Sequence, residues 1–405
     1  LNAASPPPSQ RADSASQNPL HQVLKSPALA KNWQKLHAVQ NLANPAFEDA
    51  LLKESVARAR RFIAGIKAYQ NHHDHRDVPE APVIWQSGTT KLRDYGAANP
   101  DAPLMLVIPS LINRYTILDL DIAPSYLRTL AREGFRPVVV DWDVPGEDER
   151  EFTLSDYVVR RLVPIVEFLL QWSVVGGQWS ERKATDHRSP STVHLVGYCM
   201  GGLLALALAS LMQDRIKTLS LLATPWDFHK PDANNGPIFR DFAQQVEPCL
   251  ASTGFLPVDV IQSLFAAFQP LNALQKFTGF TRMHPDSMEA RHFVLLEDWL
   301  NDGVPLTAPV ARECLHDWYG ENRTAKNEWH IDGKIIDPKN ITVPCYVIVP
   351  GRDRIVPPES ALALAKALPH VTLHEPMMGH IGMIASSRAP RQVWAAQLHW
   401  LKEHV

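Results

Sequence analysis

One arrangement in this chain has residue types and spacing suited to covalent chemistry, the pentapeptide Gly197-Tyr198-Cys199-Met200-Gly201. A thiol is a nucleophile only after losing its proton, and a free one, titrating near ~8.5, is mostly protonated at neutral pH. The apolar run 192–196 precedes the pentapeptide and the helix-prone run 203–212 follows it. A nucleophile at the tip of a sharp strand-to-helix turn sits in a strained backbone, so the residues two places to either side must be small. The helix that begins there aims its N-terminal amides at the sulfur, which favours a thiolate and a developing oxyanion.

Partners for such a cysteine follow in the chain order nucleophile, acid, histidine. Asp353 lies in Gly351-Arg352-Asp353-Arg354-Ile355-Val356-Pro357, just past the apolar run 345–349, and His380 lies in Gly379-His380-Ile381-Gly382. Alone, each fits a surface turn; with Cys199 they fit a triad, in which His380 takes the thiol proton and Asp353 holds the imidazole tautomer. The Met200 N–H is the first expected oxyanion donor. A second is expected from Pro109-Ser110-Leu111-Ile112-Asn113, with Leu111 preferred and Ser110 the alternative. Tyr198, Ser110 and Asn113 are candidate substrate-facing residues, although Tyr198 fits simple packing too. Asp141 and Asp143 fit a polar site lining or a loop role equally well. No metal or cofactor is expected. The four cysteines are scattered without a C-x-x-C spacing, and the histidines of residues 71–78 fit a solvated linker.

These residues need a scaffold that delivers three loops to one edge. Apolar runs at 103–108, 137–141, 192–196, 218–223, 345–349 and 371–374 have the length and composition of strands covered on both faces. Helical patterns alternate with them at 119–133, 153–174, 200–212, 358–367 and 391–402. That alternation predicts an α/β chain with a mostly parallel, doubly wound sheet, the α/β-hydrolase fold with an inserted helical cap. The expected division is a disordered tail over 1–20, an N-terminal helical segment over 21–80, a core over 81–223 and 342–405, and a cap over 224–341. Phe255, Trp299, Trp318 and Tyr319 supply apolar area for a lid that opens for substrate.

Composition excludes several classes. Hydrophobic residues make up 45% and charged residues 20% of 405, and the formal net charge is −3, so no field recruits nucleic acid. The nearly uncharged run 193–212 has the length of a membrane span, but its glycines fit a buried strand, turn and helix better, so no transmembrane segment is expected.

Several motifs together resemble those of the polyhydroxyalkanoate synthases. They are the elbow with cysteine, Ile108-Pro109-Ser110-Leu111-Ile112-Asn113-Arg114-Tyr115-Thr116-Ile117-Leu118-Asp119-Leu120, Asp141-Trp142, and Thr153-Leu154-Ser155-Asp156-Tyr157. Asp298-Trp299-Leu300-Asn301-Asp302, Tyr319-Gly320-Glu321-Asn322-Arg323 and the two loops bearing Asp353 and His380 complete the set. The resemblance implies an acyltransferase that polymerises (R)-3-hydroxyacyl-CoA into polyester and releases CoA, with Cys199, His380 and Asp353 as the triad and a covalent thioester intermediate. It also implies a cytoplasmic protein that works on polyester granules, either as a homodimer or with a second synthase subunit. A cysteine-nucleophile hydrolase of the same fold, such as a depolymerase, thioesterase or esterase, is the alternative.

Overall fold

The computed structural model describes residues 45–175, 178–181, 191–232, 235–268 and 271–405. The tail expected over 1–20, and the part of the N-terminal segment over 21–44, lie outside them. Among the described residues one eight-stranded sheet dominates. Its strands are β1 (Val83–Ser87), β2 (Thr90–Asp94), β3 (Leu104–Ile108), β4 (Arg136–Asp141), β5 (Val193–Tyr198), β6 (Ile216–Leu222), β7 (Cys345–Ile348) and β8 (Val371–His374). The spatial order is β1-β2-β4-β3-β5-β6-β7-β8. Every pairing from β4 to β8 is parallel, while β2 runs antiparallel to both β1 and β4.

Alternating side chains divide the core into two layers, as a two-sided sheet requires. Leu104, Leu106, Ile108, Leu195, Leu219 and Val347 face one layer, with the helices Val163–Gln171 and Met200–Leu211. Met105, Val107, Val196, Leu222 and Ile348 face the other, with Tyr126–Arg132 and Ala395–Lys402. The run that resembled a membrane span is β5, a tight turn and a helix buried along almost its whole length. No helix among the described residues is long and apolar enough to cross a membrane.

Four local expectations are corrected. Strands β1 and β2 are not visible as apolar runs, because β2 is polar: Arg93 pairs with Asp141 at 2.8 Å and Asp94 with Arg136 at 2.7 Å, all four buried. The helix expected over 119–133 starts only at Tyr126, where Ser125 accepts the Arg128 N–H as N-cap; a short 3-10 turn, Tyr115–Asp119, precedes it. The helix expected over 153–174 ends at Gln171 and contains a π turn, Val158–Leu162, one residue ahead of Pro164, which has no N–H to give a regular turn. The polar stretch 71–78 is also less solvated than expected, since Asp74 pairs with Arg291 at 2.9 Å and Arg76 donates to the Asp119 carbonyl.

Residues 224–341 contain the helices Asn235–Thr253, Val258–Phe268, Asn272–Phe280, Met288–Asn301 and Ala308–Arg312, followed by a π-helical turn, Glu313–Gly320. Trp318, Phe228 and Phe239 from this stretch belong to the same apolar cluster as the sheet, and Trp318 is only 2% exposed. The helix Pro45–Gln70 and residues Leu274–Arg282 form a second compact unit. There Phe277 packs on Phe62 and Tyr69, with ring centroids 6.2 and 5.7 Å apart.

Glu313 ties the π-helical turn to the helical run beginning at Leu154, whose N–H it accepts at 3.0 Å. Burial pushes its carboxyl up to about 7; the Leu154 amide opposes the shift, and the charges of Asp317 and Asp156 add to it. A carboxyl raised from 4.5 stabilises the fold fully below its unfolded value, and that stability is lost as pH rises through the folded value. Glu313→Gln, neutral and of equal size, should therefore melt higher than wild type at about pH 8, with the difference vanishing near pH 5. A melting series in which the variant is the less stable protein at alkaline pH would reverse the sign and refute the account.

Candidate active site

Strand β5 delivers Cys199 to the carboxyl edge of the sheet. The Cys199 N–H still bonds the Leu222 carbonyl of β6 at 2.8 Å, so the chain is held to the sheet one residue past its last strand position. It then turns sharply: Cys199 has φ 55 and ψ −126. A non-glycine residue held there costs about 1–3 kcal/mol, which the surrounding structure must offset. Crowding explains the flanking glycines. A Cβ on Gly197 would strike the backbone of Gly201 and Gly202, and one on Gly201 would strike the Ile108 and Pro109 carbonyl groups.

The last two strands of the sheet bring the partners. The loop after β7 carries Asp353, and the segment after β8 carries His380. Gly351 N–H bonds the Pro376 carbonyl at 2.9 Å and Arg352 N–H bonds Met378 at 2.9 Å, which locks the two loops together. Asp353 divides its oxygens between two tasks: Oδ1 accepts the Ile355 and Val356 amides at 2.8 and 2.9 Å, and Oδ2 accepts His380 Nδ1–H at 2.6 Å. Its rotamer is thereby set by its own loop, and Nε2 is left as the ring nitrogen available to Cys199. His380 is buried at 7% exposure. Burial, the largest effect, pulls its proton affinity down. The charges of Cys199 and Asp353 and hydrogen bonds to both more than reverse this, raising it to about 10. The arrangement can therefore hold a thiolate beside an imidazolium, ready to attack an acyl carbon and then return the proton.

Met200 is the first residue of its helix, so its N–H has no intrahelical acceptor, whereas Gly202 N–H is already bonded to the Cys199 carbonyl at 2.9 Å. Residues 109–113 lie next to the elbow, with the Pro109 carbonyl against Gly201 and also accepting Trp142 Nε1–H at 3.0 Å. Leu111 is buried there, and Ser110 Oγ accepts the Ile112 N–H at 3.4 Å. Asn113 forms an antiparallel bridge with Gly303. Tyr198 is buried in the opposite core layer, its ring 5.2 Å from that of His380 and its hydroxyl donating to the His380 carbonyl at 3.3 Å. This geometry supports the histidine loop. Asp141 pairs with Arg93, and Asp143 with Lys91 and Arg114.

One residue near the sulfur went unassigned in the sequence. The Tyr319 hydroxyl is held protonated chiefly by burial and further by charge on Cys199. Its ring stacks on Phe239 at 4.3 Å and meets Phe228 edge-on at 4.8 Å. His229 Nε2 lies 3.1 Å from the Tyr319 carbonyl, and Arg240 donates to the Gly320 carbonyl at 2.8 Å, securing the end of that helical turn. The sequence signals were the motif starting at Tyr319 and its place among the aromatics expected to form a lid, neither of which put it beside the sulfur.

The sequence profile of the alpha/beta hydrolase fold matches residues 103–386. The chain is 28% identical over 365 residues to the poly(3-hydroxyalkanoate) polymerase subunit PhaC of Synechocystis, covering 87% of this chain and 93% of that protein. It is also 28% identical over 330 residues to the subunit of the same name from Haloferax mediterranei, covering 79% of this chain and 63% of that one. Among solved structures, a putative non-heme bromoperoxidase BpoC from Mycobacterium tuberculosis superposes with a TM-score of 0.49 at 17% identity, covering 83% of this chain and 100% of that one.

The cysteines differ sharply in environment. Cys199 and Cys249 are half-buried, whereas Cys314 and Cys345 are buried. Burial pushes the Cys314 thiol well up, helped by Glu313 and Asp317, and pushes Cys345 up to about 12. Iodoacetamide should therefore label Cys199 first, Cys249 more slowly, and the other two only on unfolding. His380 holds its proton to about pH 10, so a cationic ring faces the sulfur across the neutral range and should speed Cys199 labelling there. In His380→Ala it should be slower at neutral pH. Peptide mapping by mass spectrometry reads both outcomes, and equal Cys199 labelling rates in the two proteins would dissolve the pair.

Proposed function

This chain belongs to the α/β-hydrolase fold family, and from that premise we propose that it is an acyltransferase joining (R)-3-hydroxyacyl groups from CoA thioesters into a polyester. One observation carries the acyl-transfer chemistry: His380, bonded to buried Asp353 at 2.6 Å, interacts with a cysteine standing at a strained elbow. The polyester product is supported by the names of the relatives that align along most of the chain.

The proposed sequence has two transfers. The Cys199 sulfur, its proton on His380, attacks the thioester carbonyl. The oxygen takes up negative charge facing Met200 N–H and an amide of the 110–113 loop, for which Leu111 and Ser110 are the candidates. The carbon–sulfur bond to CoA then breaks, and the departing thiolate takes the proton from His380. Exchange between thioesters is nearly thermoneutral, so the acyl group stays activated on cysteine, whereas a serine ester would lose much of that activation.

Acylation also resets the histidine. Charge on Cys199 comes first among the effects that raise His380, and it disappears when the sulfur becomes a thioester. With burial still pulling the other way, the ring becomes a neutral imidazole able to accept a proton from a hydroxyl. The hydroxyl of a 3-hydroxyacyl group then attacks the thioester as its proton passes to His380; the ester bond forms, the carbon–sulfur bond to Cys199 breaks, and the thiolate and protonated ring are restored. Water would make the same attack. The buried acid–base pair and the aromatic packing of Phe228, Phe239 and Tyr319 support its exclusion. The substrate-facing roles of Ser110, Asn113 and Tyr198, and residues 224–341 as a cap, belong to this proposal.

Purified protein with 3-hydroxybutyryl-CoA should release CoA and deposit insoluble polyester together. Cys199→Ala should abolish both while melting within a few degrees of wild type. Cys199→Ser should retain under about a hundredth of the rate, because a hydroxyl is far harder to deprotonate than a thiol. CoA release accompanied by free 3-hydroxybutyrate and no polymer would replace the polymerase with a hydrolase.

A further inference from the structure

The 110–113 loop must hold an amide at hydrogen-bonding distance, about 2.7–3.1 Å, from the developing oxyanion, yet it is neither helical nor paired within the main sheet. At its start it is held by Trp142 and by contact with Gly201. Its far end is held by a different part of the chain. Val304 N–H bonds the Ile112 carbonyl at 3.0 Å, Asn113 bridges Gly303, and Trp299 Nε1–H bonds the Arg114 carbonyl at 2.8 Å.

The Arg114 side chain joins these attachments to the sheet. Its Nη1 donates to Asp143 Oδ1 at 2.8 Å, just past the end of β4, and its Nε lies 3.2 Å from Asp302 Oδ2 at the end of the helix Met288–Asn301. Asp143 is itself fixed by Lys91 at 2.8 Å and by the Val144 amide at 2.8 Å. Burial works against its charge, but bonds from Lys91 and Arg114 hold its carboxyl down to about 2, so this contact stays ionic at any working pH.

We propose that Arg114 is a positioning residue for acyl transfer: shared between Asp143 and Asp302, it sets the placement of the 110–113 loop and hence of that loop's oxyanion donor. The inference rests on the acyl-transfer reading above and adds a residue that acts on the reacting atoms only through the loop. Magnitudes separate the two effects of losing it. Partly exposed ion pairs contribute little to stability, typically below about 1 kcal/mol each. A misplaced oxyanion donor is costlier, since losing such a donor outright slows acyl transfer by about 10²–10³.

The test compares Arg114→Met and Arg114→Lys in the full chain with wild type, using 3-hydroxybutyryl-CoA and, as a second donor, p-nitrophenyl butyrate. Arg114→Met should lower kcat roughly tenfold with KM nearly unchanged, because the loss appears as the oxyanion forms. Arg114→Lys should recover part of the rate, since an ammonium serves one carboxylate well but not two as a fork does. Alkylation of Cys199 by iodoacetamide forms no oxyanion and should change by less than about twofold in both variants. An unchanged kcat, or alkylation falling in step with kcat in either variant, overturns the proposal in favour of a purely structural arginine. Release of p-nitrophenol without CoA or polymer in wild type removes the polyester reading and leaves the Arg114 comparison intact. Release of neither product removes both.

Discussion

The site depends on how the chain leaves β5. Cys199 is tied to β6 through its N–H and then turns at positive φ into a helix, with no volume beside Gly197 or Gly201 for a side chain. Three consequences follow from that one turn. The sulfur stands clear of the sheet, the first free helix amide lies next to it, and the carbonyl groups at the end of β3 come within contact of Gly201. The loop after β3 is therefore placed by the same packing that makes the elbow possible. Strain of about 1–3 kcal/mol at one residue persists only because a layer of buried leucines and alanines over-determines it.

Charge is handled by burial with matched partners. Asp353 accepts two amides from its own loop and one N–H from His380, so its orientation is set whether or not the ring is protonated. The same economy appears away from the site, where Arg93–Asp141, Arg136–Asp94 and Arg161–Glu149 are buried pairs. Removing one member of such a pair strands a charge and is far more damaging than replacing both, so these strands depend on partners distant in sequence. The proposed nucleophile differs in kind: its charge is meant to vanish on acylation, and the histidine beside it responds.

Residues 224–341 are tied both to the sheet and to the loop after β3. Aromatic rings from this stretch pack in the sheet's own apolar cluster, and its Trp299, Asp302 and Val304 hold the loop after β3 from outside. The proposed oxyanion loop is therefore a joint product of the sheet and the inserted residues.

Local patterns carried much of this in the sequence. A small residue on each side of a cysteine, an apolar run before it and a helical run after it require the elbow, because backbone crowding there acts between residues a few places apart. The order of Cys199, Asp353 and His380 and the runs that became β3 to β7 were legible for the same reason, since a strand buried on both faces has nowhere to place polar groups; β8 was placed correctly as a strand, but as the edge of the sheet it leaves Thr372 and Leu373 exposed and is not covered on both faces. Strand β2 was not legible, because Lys91, Arg93 and Asp94 suit a buried strand only when Asp143, Asp141 and Arg136 stand opposite. The break before Tyr126 was hidden by apolar residues that pack as well in a 3-10 turn as in a helix. Tyr319 near the sulfur, Arg114 between two carboxylates, and Phe277 beside Phe62 and Tyr69 could not be assigned from sequence either. Each depends on a contact between residues far apart in the chain, and the energy of such a contact exists only once the fold has brought them together.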